Sequence, residues 1–197
     1  MGDLLLVRHG ETAWSGSGRH TGRTDIPLTP RGEHQAATLA PFFAGRSFAR
    51  VLTSTLRRAV HTAELAGLTP AVADPDLSEW DYGAYEGLTT PDILRTRPGW
   101  SLWTDGVPDG PPGRPGENAE QVGARADRVL ERVAEAVDAS GQDVVLVAHA
   151  HVLRVLTARY LCLPPAEGRL FLLETGTVSR LSREHSLPVV AGWNTRP

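Results

Sequence analysis

Four consecutive apolar residues, Leu4 to Val7, stand between Asp3 and an Arg-His-Gly turn. A run this short with polar ends predicts a buried strand over 3–7. Residues 11 to 29 are rich in Gly, Ser and Thr and carry no period, which predicts a loop. LTPRGEHQAATLAPFF then shows helical spacing of Ala and Leu, with Thr29 as N-cap and Pro30 at the first helical position. RVLTS at 50–54 predicts a second strand, and the stretch over about 56–66, ending near Gly67, a helix. Asn118 and Gln121 form a capping-box pattern that opens a long amphipathic helix to about Ser140. DVVLVAHA at 143–150 is the clearest strand and HVLRVLTARYL the helix after it, while LFLLETGTVSRLSRE and LPVVAGW read as closing strands.

Strands alternating with helices predict an α/β fold, a three-layer α/β/α sandwich around a mainly parallel sheet whose closing strands run antiparallel. The segment from Leu68 to Asn118 breaks the alternation: it holds more than half of the prolines and Trp80, Trp100 and Trp103, with one short helix over about 90–96. An irregular insertion of this length (about 68–118) reads as a binding or lid element covering the site. The 197 residues read as one domain, 1–197. No apolar run approaches the roughly 20 residues of a membrane span, and LLLV with no basic residue before it is too short for a signal peptide, so the expected location is cytoplasmic with no membrane partner. A single cysteine, Cys162, fits a reducing compartment. The net charge of -3 argues against a nucleic-acid partner. All 20 basic residues are arginine, so each must be argued on its own.

Ligands of open α/β sheets bind at the carboxyl ends of the strands. Three predicted strand ends deliver Arg8-His9, Ser54 to Arg58, and His149-Ala150-His151. Arginine offers a planar fork of donors for oxyanions, and histidine serves as nucleophile, base or donor. Two arginines and two histidines suit a doubly charged phosphoryl group better than a carboxylate.

LLLVRHGETAW, TSTLRRAVHTAEL, LSEWDYGAYEG and VVLVAHAHVLR together resemble, in order and over nearly the whole chain, the four signature blocks of the histidine phosphatase superfamily, which includes the cofactor-dependent phosphoglycerate mutases. The resemblance implies a phosphoglycerate mutase-like fold and makes His9 the nucleophile, with Arg8 and Arg58 clamping the phosphate oxygens. It implies that His149 donates to the transferring group and that Glu79 protonates the leaving oxygen and then activates water. No cofactor and no metal are then needed. Arg57 is the spare of its pair, since adjacent helical residues point about 100° apart. Asp81 and Glu86 compete with Glu79 from the same stretch, Glu86 reading as a solvated or structural carboxylate. WSGSGRHTGRTDIPLT, EWDYGAYEGLTTPDI, SLWTDG and LETGTVSRLSREH are similar to the branch that contains sedoheptulose-1,7-bisphosphatase, which by analogy gives Thr21, Tyr82 and His151 substrate contacts. His151 reads equally as a surface residue of a helix N-terminus, and Arg154 either reaches a second phosphate or lies on a helix surface.

Two departures bear on the reaction. Ala150 stands where the family has glycine, tolerable if the backbone keeps a negative φ. Ser15 and Gly18 replace asparagines of the mutases, and the chain is shorter, which favours transfer to water. The partner implied is therefore a small phosphorylated metabolite, a sugar phosphate or bisphosphate; self-association into a homo-oligomer stays open. The alternatives are a phosphoglycerate mutase, a non-catalytic phosphate-binding module, which would have no need of the acid Glu79, and a metal-dependent hydrolase built on His149 and His151.

Overall fold

The computed structural model describes residues 2–197. Its strands are β1 (Leu4–Arg8), β2 (Arg50–Thr53), β3 (Val72–Ala73), β4 (Val144–Ala148), β5 (Val178–Glu184) and β6 (Leu187–Thr195). Its helices are α1 (Ala13–Gly16), α2 (Pro30–Ala37), α3 (Ala40–Phe43), α4 (Arg57–Leu65), α5 (Thr90–Thr96), α6 (Leu102–Asp105), α7 (Ala119–Ser140) and α8 (Ala150–Tyr160). The six strands form one sheet in the order β3-β2-β4-β1-β5-β6, parallel from β3 to β1 and antiparallel at β5 and β6.

Alternate residues of β1 and β4 enter two different cores. Leu4, Leu6, Val144 and Leu146 pack with Val122, Val129 and Val133 of α7 and Val152, Val155 and Leu156 of α8. Leu5, Val7, Val145 and Val147 pack with Leu39, Phe43, Ala59 and Ala63 on the side of α3 and α4. The result is the expected three-layer sandwich, and a central strand buried on both faces explains why β1 and β4 read as unbroken apolar runs. Among the described residues no helix is long and apolar enough to cross a membrane.

Local signals place most element ends. Thr29 caps α2 by accepting from Gly32 N, and Asn118 and Gln121 close the capping box of α7, which ends at Gly141 in the left-handed conformation. The predicted helix across residues 28–43 is instead two, α2 and α3. Pro41 has no N–H to offer the carbonyl of Ala37, so one continuous ladder cannot form there. Residues 13–16, expected as loop, make a single helical turn under a Thr12–Ser15 capping box. The insertion has α6 and short 3-10 turns besides the expected helix at 90–96.

The strand expected from residue 170 begins only at Val178. Before it, Leu173 O accepts from Arg8 Nη1 at 2.5 Å and Gly176 N donates to the carbonyls of Arg8 and His9, both at 3.1 Å. Backbone groups committed to the end of β1 cannot also form a ladder. Gly176, at φ +66, turns the chain away.

Register brings the candidate residues together. Arg8 pairs with Ala148 across β1 and β4, and Thr53 with Val147 across β2 and β4, so His9, Ser54 and His149 come next at adjacent carboxyl ends. His9 N donates to Ala148 O at 3.0 Å and Ser54 N to Val147 O at 3.0 Å, extending the ladders one residue into the site.

The turn after β1 lies directly on the start of α2. A Cβ on Gly10 would fall 2.2 Å from Gly32 O, and one on Gly32 would fall 2.0 Å from Glu11 O. Neither gap closes by moving a flexible side chain. Gly32→Ala is therefore expected to destabilise the fold by at least about 2 kcal/mol, a fall of roughly 4–8 °C in melting temperature. An unchanged melting temperature would contradict this packing.

Candidate active site

Arg8, His9, Thr21, Glu79, Tyr82 and His151 line one cavity of about 290 Å³, together with Ser15, Gly18, Arg19, His20, Thr90, Arg154 and Leu172. Arg58 and His149 are buried next to it: the His149 ring centroid lies 5.1 Å from that of His9, and Arg58 is hydrogen-bonded to His149. All eight residues singled out in the sequence thus converge on one end of the sheet, six on the cavity wall and two buried beside them.

His9 is buried, and its Nδ1 lies 2.6 Å from Gly10 O. A carbonyl can only accept, so Nδ1 carries the proton and Nε2 keeps its lone pair. Burial, reinforced by the charges of Arg58 and Arg8, pushes the His9 pKa well below its ordinary value. Arg8 is itself desolvated, and its Nε is buried without a protein partner among the described residues. Arg8 as a whole lines the cavity, where a guanidinium is a strong partner for an anionic ligand.

Arg58 is buried while Arg57 is exposed. Its Nε donates to His149 Nδ1 at 3.0 Å, Nη1 to Thr24 O at 3.0 Å, and Nη2 to the carbonyls of Thr21 and Gly22 at 3.0 and 3.1 Å. An arginine on Nδ1 leaves the His149 proton on Nε2, which donates to Ser54 Oγ at 2.7 Å. Burial, followed by the charge of Arg58, pushes the His149 pKa well down.

Glu79 sits at the N-terminus of α8. Its Oε1 accepts from Trp80 N and Val152 N, both at 2.9 Å, and its Oε2 from His151 N at 3.0 Å. A carboxylate has about four acceptor sites, so one stays open on a group that lines the cavity. Ala150 opens α8 with no positive φ, which accounts for its tolerance at that position.

The Tyr82 hydroxyl and His151 Nδ1 share a hydrogen bond of 2.6 Å, and burial raises the Tyr82 pKa well above the ordinary value. His20 stacks on Tyr82 with centroids 4.7 Å apart, and burial holds its pKa down at about 4. Thr21 gives its hydroxyl to Arg19 O and its carbonyl to Arg58. Arg154 lies on the cavity wall, its guanidinium 4.6 Å over the Trp103 ring and its donors on the carbonyls of Gly168 and Arg169. It is thus a built part of the site rather than a free surface side chain.

Several supporting residues are not singled out by the sequence. Thr62, one helical turn after Arg58, donates to Arg58 O at 2.7 Å and accepts from Gly10 N at 3.1 Å, tying α4 to the His9 turn; its (i, i+4) spacing is a usable signal. Arg125 pairs with Glu117 at 2.9 Å and donates to the carbonyls of Asp76 and Ser78, while Glu117 accepts from Asp81 N at 2.8 Å. That network holds the stretch carrying Glu79, and nothing local in the sequence marks it. Glu11 accepts from Thr29 Oγ1 at 3.0 Å and pairs with Arg31 at 3.3 Å, so the acid of the RHGE turn shapes the turn.

The imidazoles of His9, His20, His149 and His151 are all held neutral, chiefly by burial. In the unfolded chain histidines titrate near 6.5, so below that pH the unfolded state binds more protons than the native one and stability rises with pH. The melting temperature is therefore expected to fall as pH drops from 7 to 5, a window above the ordinary carboxylate range. A flat profile would mean that these rings charge freely in the fold.

With this geometry in place, the similarities to known proteins agree with it. A family model described as histidine phosphatase superfamily (branch 1) matches residues 4–196. An acid phosphatase of Mycobacterium tuberculosis is 42% identical over 190 residues, 95% of this chain and 90% of that protein. The sedoheptulose 1,7-bisphosphatase of Saccharomyces cerevisiae is 34% identical over 184 residues, 78% of this chain and 65% of that protein. Among solved structures, that of an open reading frame from Mycobacterium tuberculosis superposes with a TM-score of 0.91 at 40% identity, covering 99% of this chain and 98% of the other. A mycobacterial glucosyl-3-phosphoglycerate phosphatase in complex with VO3 gives a TM-score of 0.82 at 29% identity, over 99% and 100%. By fold, by sequence and by the order of its motifs, the chain belongs to branch 1 of the histidine phosphatase superfamily.

Proposed function

We propose that this phosphatase hydrolyses a small phosphorylated metabolite, a sugar phosphate or bisphosphate, in two displacements through phospho-His9. The observation that carries the reading is the state of His9: a neutral ring with its Nδ1 proton committed to Gly10 O and its Nε2 lone pair free, on the wall of a cavity that it shares with Arg8. In the first displacement Nε2 bonds to phosphorus as the bond to the leaving oxygen breaks, and Glu79 supplies that oxygen's proton. In the second, water attacks phosphorus, Glu79 takes its proton and His9 leaves.

Arg8, on the cavity wall, directs to the phosphoryl oxygens the guanidinium donors not taken by Leu173 O, and the nearby charge of Arg58 adds positive potential. His149 donates its Nε2–H to the same group by exchanging Ser54 for a phosphoryl oxygen. The cationic side chains supply the charge that a metal would otherwise bring. Thr21, Tyr82 and His151, with His20 beside them, contact the rest of the substrate, and a cavity of about 290 Å³ suits a phosphoryl group on a small carbon skeleton.

The direct test is phosphate release by the purified protein from a panel of phosphorylated sugars, glycolytic acids and nucleotides, with 3-phosphoglycerate also incubated alongside a catalytic amount of its 2,3-bisphosphate. Preferential release from sugar phosphates supports the proposal. Isomerisation of 3-phosphoglycerate faster than phosphate release would overturn hydrolysis in favour of a mutase.

A further inference from the structure

We infer that Glu86 is a positioning residue of the phosphate site, holding Arg58 through the peptide groups of residues 21–24. The inference rests on the proposed role of Arg58 in the phosphate-handling set. Glu86 comes directly after the 3-10 turn at Gly83–Tyr85 and is not among the residues that line the cavity. Its carboxylate accepts from Gly22 N, 3.0 Å from each oxygen, and from Thr24 N at 3.0 Å. The other edge of the same backbone faces Arg58, which donates to the carbonyls of Thr21, Gly22 and Thr24.

The peptide group joining Thr21 to Gly22 is shared by both: its carbonyl meets the guanidinium and its N–H meets the carboxylate. A peptide dipole held between a cation and an anion is polarised by both, so each hydrogen bond strengthens the other. Arg58 is buried and its donors reach a histidine and three carbonyls, so its negative partner Glu86 acts through the backbone rather than by contact. Glycine at position 22 permits the arrangement, since a Cβ there would lie 2.7 Å from Glu86 Oε2 and 2.5 Å from Trp80 O.

Two further ties hold the loop, the Arg23–Asp81 pair at 3.5 Å and Arg114 Nη1 to Thr24 Oγ1 at 3.1 Å. Both act through side chains of the loop; Glu86 grips the peptide groups that hold Arg58. Through Arg58 the effect reaches the chemistry, because Arg58 Nε holds the His149 proton on Nε2 and the Arg58 charge depresses the His9 pKa. A carboxylate that merely capped a turn would matter for stability alone.

The test places Glu86→Gln in the wild-type chain and in an Arg58→Lys chain, reading kcat/KM on an aryl phosphate, the inhibition constant of inorganic phosphate, and the melting temperature. The expected result is a loss of about tenfold in kcat/KM with weaker phosphate inhibition in the wild-type background, shrinking to less than about twofold with Arg58→Lys, because coupled residues are non-additive. Equal losses in the two backgrounds, or a lowered melting temperature with kcat/KM unchanged, overturn the inference and leave the proposed phosphate site standing. An Arg58→Lys chain with full activity and unchanged phosphate affinity overturns the role of Arg58 and the inference with it. Should Glu86→Gln not fold, Glu86→Asp, which draws the charge back by one methylene, carries the same comparison.

Discussion

His9→Ala is expected to abolish phosphate release from every substrate, an aryl phosphate included, while the protein stays folded. Removing the residue that accepts the phosphoryl group removes the covalent route itself, and losses of at least about 1,000-fold result when a nucleophile is deleted. The fold should survive, because the native state gains little from this ring. His9 is buried beside two cations that oppose its charging, and its hydrogen bond runs to the adjacent residue. Stability is therefore expected to be retained or to rise at mildly acidic pH, where the neutral ring is a cost to the folded state. Residual activity above about a tenth of the original in a folded variant would contradict the nucleophile assignment.

Glu79→Gln is expected to separate substrates by their leaving groups. Alkyl phosphates expel a poor leaving group that needs a proton, so their hydrolysis should fall by about 100- to 10,000-fold, whereas aryl phosphates with acidic leaving groups should lose far less. The variant also carries a structural cost. Both oxygens of Glu79 accept backbone N–H groups, from Trp80, His151 and Val152, and an amide would turn its NH2 toward one of these donors. That costs about 1–3 kcal/mol of stability. A smaller folded fraction lowers both activities by the same factor, so the ratio between the two substrate types reports the acid alone. Equal losses on alkyl and aryl phosphates would assign Glu79 a structural role at the start of α8.

The parts of this molecule that a reader of the sequence could find are those with local or periodic causes. β1 and β4 are legible because strands buried on both faces must be apolar throughout, and α7 because its capping box, amphipathic face and terminal Gly141 all lie within its own residues. Arg8, His9 and His149 are legible because parallel strands bring the residues at their carboxyl ends to one edge of the sheet. The misreadings have equally specific causes. Residues 171–177 have strand-like composition, but their backbone serves Arg8 and His9, a commitment invisible until β1 and that segment are brought together.

The motifs put Arg58 and His149 in one site without saying that they touch, and the fold joins them, Arg58 Nε donating to His149 Nδ1. Arg58 thus carries contacts that the motif does not indicate, to His149 and to the carbonyls of the 21–24 loop. Glu86 reads from sequence as merely solvated or structural because a carboxylate's value to a distant arginine depends on backbone that folds between them. Arg125 and Glu117 likewise act on residues roughly 40 positions away in the chain, a separation at which sequence pattern carries no information.

The central claim is a covalent phosphoryl group on His9, and trapping it is the most direct measurement. The protein would be mixed with an excess of a hydrolysed phosphate ester, quenched in alkali, where phosphohistidine persists, digested and mapped by mass spectrometry. Phosphate is expected on the peptide carrying His9, on Nε2, absent from His9→Ala and discharged as substrate is exhausted. A protein that turns over the ester with no phosphate on His9 at any time, or with phosphate on another residue, would contradict the claim.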